Sequence, residues 1–158
     1  MKKGEAKMIF TFEIVGEPQG KGRPRFSTRG GFVKTYTPEK TASYENFVKL
    51  CYLNKYKGQK LDGEIIAEII AYFSIPKSFS KKKRSEAIEG KIKPTKKPDT
   101  DNIAKTILDS LNGIAFEDDK QVVALLVKKL YGEEAKVVVV LKNEEGSEEE
   151  DYDPSEKE

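Results

Sequence analysis

The segment from Glu64 to Ser74 constrains the fold more than any other part of the chain. It is dense in isoleucine, alanine and aromatic residues, which predicts a central strand of a β-sheet. A central strand needs neighbours, and Met8 to Val15 alternates apolar with polar residues as a strand does. Two further valine- and leucine-rich segments, joined through Tyr131-Gly132, predict a hairpin: Lys120 to Leu130 and Lys136 to Lys142.

Two segments predict helices. The first opens with Thr37-Pro38 as N-cap and first helical residue and ends at Gly58. Its apolar residues fall at helical spacing: Tyr44, Phe47, Val48 and Cys51. The second runs from Asp101 to Asn112. The order strand, helix, strand, helix, strand, strand predicts an α+β domain, with helices packed on a single mixed sheet.

The end of the chain differs in charge from the rest. Asn143 to Glu158 contains nine acidic residues and one lysine, so Met1 to Lys142 carries a formal charge of +10 within a chain of +2. This charge is typical of a polyanion binder, although a solvated lysine- and glutamate-rich surface also explains it. We expect one domain over residues 1–143 and a disordered acidic tail over residues 144–158.

The chain has no histidine and one cysteine. These counts exclude a Ser-His-Asp triad, a histidine general base, an intrachain disulfide and a zinc site built from clustered cysteines. Any enzymatic chemistry must therefore use carboxylates, lysine, tyrosine, serine or a metal. No apolar stretch approaches the roughly 20 residues that span a membrane, so we expect a cytoplasmic protein with no membrane partner.

Acidic residues flank the second predicted helix. Asp99 and Asp101 lie at its start, and Asp118 and Asp119 lie just before the next strand. Clustered carboxylates repel one another unless a cation neutralises them, and oxygen ligands select Mg²⁺ or Mn²⁺. Such an ion supports phosphodiester hydrolysis without histidine. The helix spans about 16 Å, so whether the two pairs meet depends on the turn that follows it.

Each of these residues also has a structural interpretation. Asp99 or Asp101 could cap the helix, and Asp118-Asp119 could form a polar turn. Lys105 lies four residues after Asp101 and four before Asp109, so exposed salt bridges could account for it.

Two other motif interpretations fail on spacing. An EF-hand beginning at Asp99 would place Ile103, Ala104 and Ser110 where an oxygen ligand, a glycine and a glutamate are needed. The loop from Gly16 to Lys21 is one residue short of a P-loop, so no nucleotide cofactor is expected.

Three groups of residues together resemble the RusA family of Holliday junction resolvases. They comprise Lys97-Pro98-Asp99-x-Asp101-Asn102-x-x-Lys105, Asp109-x-Leu111-Asn112-Gly113, and Asp118-Asp119-x-Gln121-Val122. The segments Gly16-x-Pro18, Lys21-Gly-Arg-Pro-Arg-Phe26 and Tyr36-Thr-Pro38 resemble the start of the same family. The resemblance runs from about Ile9 to Leu141 and leaves the acidic tail unexplained.

The resemblance implies a homodimeric, Mg²⁺-dependent endonuclease that cuts four-way DNA junctions by paired nicks. Asp99, Asp101 and Asp119 match the family's metal-binding aspartates, with Asp118 as a further candidate ligand, and Lys105 matches its essential lysine. The glycine- and proline-rich loop that the family associates with DNA contact corresponds to Pro18 to Arg25.

We expect phosphate contacts from Lys21, Arg23, Arg25, Lys97 and the cluster Lys81-Lys-Lys-Arg84. Two alternatives compete with a resolvase: a non-catalytic protein that binds junction or duplex DNA, and a Mg²⁺ nuclease acting on flaps or forks. The acidic tail either mimics DNA and restrains non-specific binding, or serves only solubility.

Overall fold

A computed structural model describes residues 7–22, 25–27, 29–31, 34–36 and 39–143. The strands are β1 (Met8–Val15), β2 (Arg25–Ser27), β3 (Lys34–Tyr36), β4 (Ile65–Ser74), β5 (Val122–Gly132) and β6 (Lys136–Asn143). The helices are α1 (Glu39–Tyr56), α2 (Lys81–Ile88) and α3 (Thr100–Leu111), with short 3₁₀ turns at Arg29–Gly31 and Asp119–Gln121. Thr37-Pro38 and the acidic tail, residues 144–158, lie outside the described residues.

The main sheet has four strands in the order β1-β6-β4-β5. β6 is antiparallel to both β1 and β4, and β5 is parallel to β4, while β2 and β3 form a separate antiparallel pair. The prediction of an α+β fold with a mixed sheet is confirmed. The central position of the strand predicted at Glu64 to Ser74 is confirmed as well.

The predicted hairpin of β5 and β6 is wrong. Both strands form, but they lie on opposite sides of β4 and each pairs with it. Alternate side chains of β4 are buried along its length, so a central position with a paired strand on each side stabilises this strand most. The chain leaving β5 crosses the end of β4 at Gly132, where an added Cβ would lie 3.1 Å from Cδ1 of Tyr72.

The basic connection between β4 and α3 contains a helix that the sequence pattern did not predict. α2 begins after Ser80, whose hydroxyl oxygen accepts a hydrogen bond from the Lys83 N–H at 3.2 Å. Ala87 is its one fully buried residue, so the helix lacks the apolar stripe that reveals a helix in a sequence.

The core lies between α1, α3 and one face of the main sheet. Fully buried side chains come from every layer: Phe12, Val48, Ile69, Ile107 and Val139. No helix in the described ranges has the length and apolar character needed to cross a membrane. Because β4 and β5 are parallel, α2 and α3 carry the chain back from the end of one strand to the start of the other.

Candidate functional site

The start of α3 presents two aspartates to solvent. Asp99 occupies the N-cap position, and its carbonyl accepts a hydrogen bond from the Ile103 N–H at 3.0 Å. Its carboxylate makes no capping hydrogen bond, so the capping interpretation does not apply to it. Asp101 lies in the first turn, where the helix dipole favours a negative charge, and is also exposed.

Lys105 is exposed on α3 and lies one helical turn beyond Asp101. In the described part of the chain no salt bridge within 4.0 Å involves Lys105, and Asp109 pairs with Lys21 instead. The interpretation of Lys105 as a surface salt-bridge partner is therefore not realised, and its ammonium group faces solvent on the same helix as Asp101.

The loop after β1 docks on α3 through Lys21. The Lys21 N–H donates to Oδ1 of Asn102 at 2.9 Å, and Nδ2 of Asn102 donates back to the Lys21 carbonyl at 3.3 Å. The Lys21 ammonium lies 2.7 Å from Oδ2 of Asp109 and 3.7 Å from Oε1 of Glu45. The hydrogen bond to Asp109 raises the pKa of Lys21, although partial burial opposes the shift.

Gly20 makes this docking sterically feasible. A Cβ added at this position would overlap the side-chain amide of Asn102 and lie 2.9 Å from Cβ of Pro98. The loop backbone therefore approaches the segment that carries Asp99 and Asp101 more closely than a larger residue allows. One step along the loop, the Gly22 N–H donates to Oγ1 of the buried Thr41 at 2.9 Å.

Asp118 and Asp119 have different surroundings. Oδ1 of Asp118 accepts the Lys120 N–H at 2.9 Å, and Oε1 of Gln121 accepts the Asp118 N–H at 3.1 Å, which completes a capping box. The Asp119 N–H donates to Oδ1 of Asn112 at 3.1 Å, which ties the turn to the end of α3. Asp118 thus has a structural task, whereas Asp119 is exposed and held through its backbone.

The two carboxyl groups also influence each other. The Lys120 N–H, followed by the hydrogen bond with Asp119, lowers the pKa of Asp118. The hydrogen bond to Asp118, in which the protonated Asp119 carboxyl donates, is the largest cause that raises the pKa of Asp119, and the charge of Asp109 adds to it. Asp119 therefore keeps its proton to a higher pH than an ordinary exposed aspartate does.

Opposite ends of α3 carry the two aspartate pairs. At its start, the Lys129 ammonium donates to the Lys96 carbonyl, which places the segment before Asp99 over the far end of β5. At its end, Asn112 holds Asp119 at the near end of β5. The twelve residues of α3 span about 18 Å, so one chain does not bring the pairs together.

This separation limits how many carboxylates one chain can offer to a divalent ion. Among the described residues no three acidic or cysteine side chains lie close enough together to hold a metal. Mg²⁺ prefers octahedral oxygen coordination and is usually bound by one or two carboxylates together with water and substrate phosphates. One chain therefore offers the ion at most two carboxylates at either end of α3, and water or phosphate oxygens would complete its coordination.

Basic residues lie in α2, in the segment before α3 and at the far end of β5. Phe73 lies beneath two ammonium groups, with Lys96 Nζ 5.7 Å and Lys129 Nζ 5.2 Å from its ring centroid. We use the term basic rim for the lysines and the arginine at this end of the sheet: Lys81, Lys82, Lys83, Arg84, Lys96, Lys97, Lys128 and Lys129. Lys97 is exposed, as a phosphate contact requires. Arg23 and the side chain of Arg25 lie outside the described residues.

The sequence assigned no role to two residues that organise this site, Asn102 and Gly20. Asn102 holds the backbone of Lys21 from 81 residues away, and no local pattern reveals a contact at that separation. Lys21, expected to contact phosphate, has its charge offset by two carboxylates. The four-residue spacing of Lys105 and Asp109 predicted an ion pair between them, but in the structure Asp109 pairs with Lys21.

Comparison with known proteins gives two matches. Residues 15–142 match the family described as Endodeoxyribonuclease RusA. The chain is also 38% identical over 133 residues to a protein of Bacillus subtilis (strain 168) named "Uncharacterized protein YqaN". That alignment covers 83% of this chain and 94% of the relative.

Proposed function

The chain belongs to the RusA family of endodeoxyribonucleases, and we propose that it resolves four-way DNA junctions by paired, symmetric nicks that require Mg²⁺, with Mn²⁺ as a substitute. One observation from the structure supports this most: Asp99 and Asp101 are exposed at the start of α3, and Lys105 is exposed one helical turn beyond Asp101. Within the described part of the chain, none of the three has the salt bridge or side-chain cap that would explain it structurally. The Bacillus subtilis relative is uncharacterised and adds nothing to the choice of substrate.

The residues of the chain take distinct parts in this proposal. The basic rim contacts phosphates and positions the DNA without reading its sequence. Lys105 provides a compact cation for the phosphoryl oxygens near Asp101. The loop that holds Lys21 is fixed against α3 and supports the segment from Pro98 to Asp101. A bound Mg²⁺ would supply Lewis-acid activation, and Asp99 and Asp101 are the carboxylates that would hold it at the start of α3.

A panel of DNA substrates tests the proposal. The wild-type protein is incubated with a labelled four-way junction, a matched linear duplex, a flap and a fork, each with Mg²⁺ and with EDTA. We expect symmetric nicks in the junction alone, in the presence of Mg²⁺ only. Preferred cutting of the flap or the fork would identify a different nuclease, and binding without cutting in Mg²⁺ or Mn²⁺ would identify a binding protein.

A further inference from the structure

An open cavity of about 540 Å³ lies where the loop after β1 meets the first half of α1. It is lined by Gln19 of the loop and by five residues of α1, which are Glu39, Lys40, Ser43, Tyr44 and Phe47. The α1 residues are spaced by one turn of the helix, so they share one side of it. The aspartates at the two ends of α3 do not line this cavity. Its size falls within the range of roughly 300–1,000 Å³ that small-molecule sites occupy, so it has room for a nucleotide.

The loop that forms one wall of the cavity is fixed to α1. The Gly22 N–H donates to Oγ1 of Thr41 at 2.9 Å, and the Lys21 ammonium lies 3.7 Å from Oε1 of Glu45. Both contacts come within three residues of Gln19, so its position against the helix is set by its neighbours in the chain. The cavity is therefore formed before any ligand binds.

Phe47 presents an aromatic ring at this cavity. Its side chain is 43% exposed, and it contacts no other aromatic ring of the described residues. Tyr44, by contrast, is only 7% exposed and lies with its hydroxyl beside the backbone of Gln19, so its ring belongs to the floor. Proteins that bind unpaired nucleotides stack the bases on exposed aromatic rings of this kind.

The polar groups around Phe47 suit a nucleotide better than an anion alone. Lys40 is exposed and has no salt bridge in the part of the chain that the structure describes, so its charge is available to a phosphate. Glu39 lines the same cavity and offsets that charge, so the lining as a whole is neutral. The Gln19 amide both donates and accepts hydrogen bonds, as the edge of a base requires. The lining therefore matches a neutral ring inside the cavity with a phosphate at its rim.

We propose that this cavity, which we call the base pocket, binds one unpaired nucleobase of the DNA substrate, stacked on Phe47 with its edge against the Gln19 amide. The base pocket shares its loop with the candidate site, because a Cβ added at Gly20 would lie 2.9 Å from Cβ of Pro98, the residue before Asp99. A base on one side of this loop and a phosphate on the other therefore fit nearby positions of one strand. That the ligand is DNA rests on the proposed nuclease function, whereas the cavity and its exposed ring do not.

The base pocket favours a branch point over a linear duplex. Taking a base out of a duplex costs stacking and pairing energy, and the cost is smallest where the base is already unpaired. Strands change partners at a four-way junction, so a base at the crossover loses a stacked neighbour. Holding that base beside the cutting site selects branched DNA, and the Gln19 amide adds a preference among bases at this position.

Tryptophan fluorescence tests the base pocket without any cutting. The chain has no tryptophan, so Phe47→Trp introduces a single indole at the cavity. The matched control is Leu50→Trp, on the next turn of α1, where the native side chain is 63% exposed and does not line the cavity. A single-stranded oligonucleotide in EDTA should quench the fluorescence of Phe47→Trp, because a base stacks on the indole, and leave that of Leu50→Trp nearly unchanged.

An oligonucleotide of the same length that carries only abasic nucleotides separates base binding from phosphate binding. It should quench neither variant. Quenching by the abasic strand as strong as by the normal strand, equal quenching of the two variants, or no quenching of Phe47→Trp overturns the proposal.

Junction binding and cutting separate this inference from the proposed function. In Ca²⁺, Phe47→Ala should bind a four-way junction at least about fivefold more weakly than the wild type, as expected for the loss of one stacked base. Leu50→Ala should bind as the wild type does. In Mg²⁺, Gln19→Ala should discriminate less than the wild type among the four bases beside the cut.

Two results of these assays contradict the base pocket: unchanged junction binding by Phe47→Ala, and equal discrimination among bases by Gln19→Ala and the wild type. If the wild type does not cut any DNA, the proposed function fails. The fluorescence of Phe47→Trp with normal and abasic strands then still decides whether the cavity binds a base.

Discussion

Lys21 and Asp109 form an ion pair with 2.7 Å between Nζ and Oδ2, and this pair joins the loop after β1 to the outer side of α3. The loop comes from the first strand and the helix from the second half of the chain. The contact therefore places a segment expected to meet DNA beside Asp99 and Asp101. It also offsets the charge of Lys21, which the sequence predicted to contact phosphate.

The salt dependence of DNA binding distinguishes Lys21 from Lys97. Because two carboxylates offset the charge of Lys21, Lys21→Ala leaves the slope of log K against log salt nearly unchanged. Lys97→Ala removes an exposed charge of the basic rim and lowers the steepness of that slope by about one. Fluorescence anisotropy on a junction from low to moderate salt measures both slopes. If Lys21→Ala also lowered the steepness of the slope by about one, Lys21 would contact phosphate directly, which contradicts this prediction.

Gly20→Ala tests the docking of the loop. The added methyl group overlaps the Asn102 amide and meets Pro98, so the loop lifts and the Lys21 N–H loses its partner. We expect faster hydrogen exchange at the Lys21 amide and at least a tenfold loss of junction cutting, or about 1.4 kcal/mol. Asn102→Ala removes the same hydrogen bonds without overlap and should raise the exchange rate as well. Unchanged protection in both variants would contradict the docked loop.

The carboxyl of Asp119 should titrate above the usual aspartate range, and that of Asp118 below it. The hydrogen bond with Asp118 raises the pKa of Asp119, so Asp118→Asn, which removes the neighbouring charge, lowers it towards the ordinary value. Carboxyl carbon chemical shifts followed by NMR in EDTA measure both groups. A pKa of Asp119 that does not move in Asp118→Asn would contradict the contact between them.

Two buried tyrosines make the domain sensitive to alkali. Burial raises the pKa of Tyr44 and of Tyr52 to about 12, and in Tyr52 the charge of Tyr56 adds to the effect. Because the folded-state pKa exceeds the unfolded value, near 10, their contribution to stability is complete below pH 10 and is lost as the pH rises towards 12. Ultraviolet titration of tyrosinate, combined with thermal unfolding, tests this. Titration of both groups near pH 10 without loss of stability would contradict it.

Regular, local patterns predicted most of the fold. β1 alternates apolar and polar residues, β6 is a valine-rich run and α3 carries an apolar stripe, so their positions agree with the structure within one or two residues. α2 was missed because it is almost entirely exposed and basic. The hairpin prediction failed because adjacency in sequence favoured pairing of β5 with β6, whereas the apolar β4 lies between them.

The candidate site was predictable as a set of residues but not as a geometry. The sequence places Asp99 and Asp101 at the start of a helix and Lys105 one turn further along it, and the helix forms there. The length of α3 separates Asp119 from Asp99 and Asp101. This separation depends on the parallel pairing of β4 and β5, which no local pattern predicts. The hydrogen bond between Asn102 and Lys21 joins residues 81 positions apart, so no local pattern predicts it either.

The most direct measurement follows binding and cutting of a four-way junction by Asp101→Asn. Glu89→Gln is the matched control, because it makes the same change in an exposed carboxylate at the end of α2. In Ca²⁺ both variants should bind the junction as the wild type does. In Mg²⁺ the control should cut at the wild-type rate, while Asp101→Asn should lose at least about 100-fold in rate. Equal cutting by Asp101→Asn and wild type would contradict a catalytic role for the start of α3.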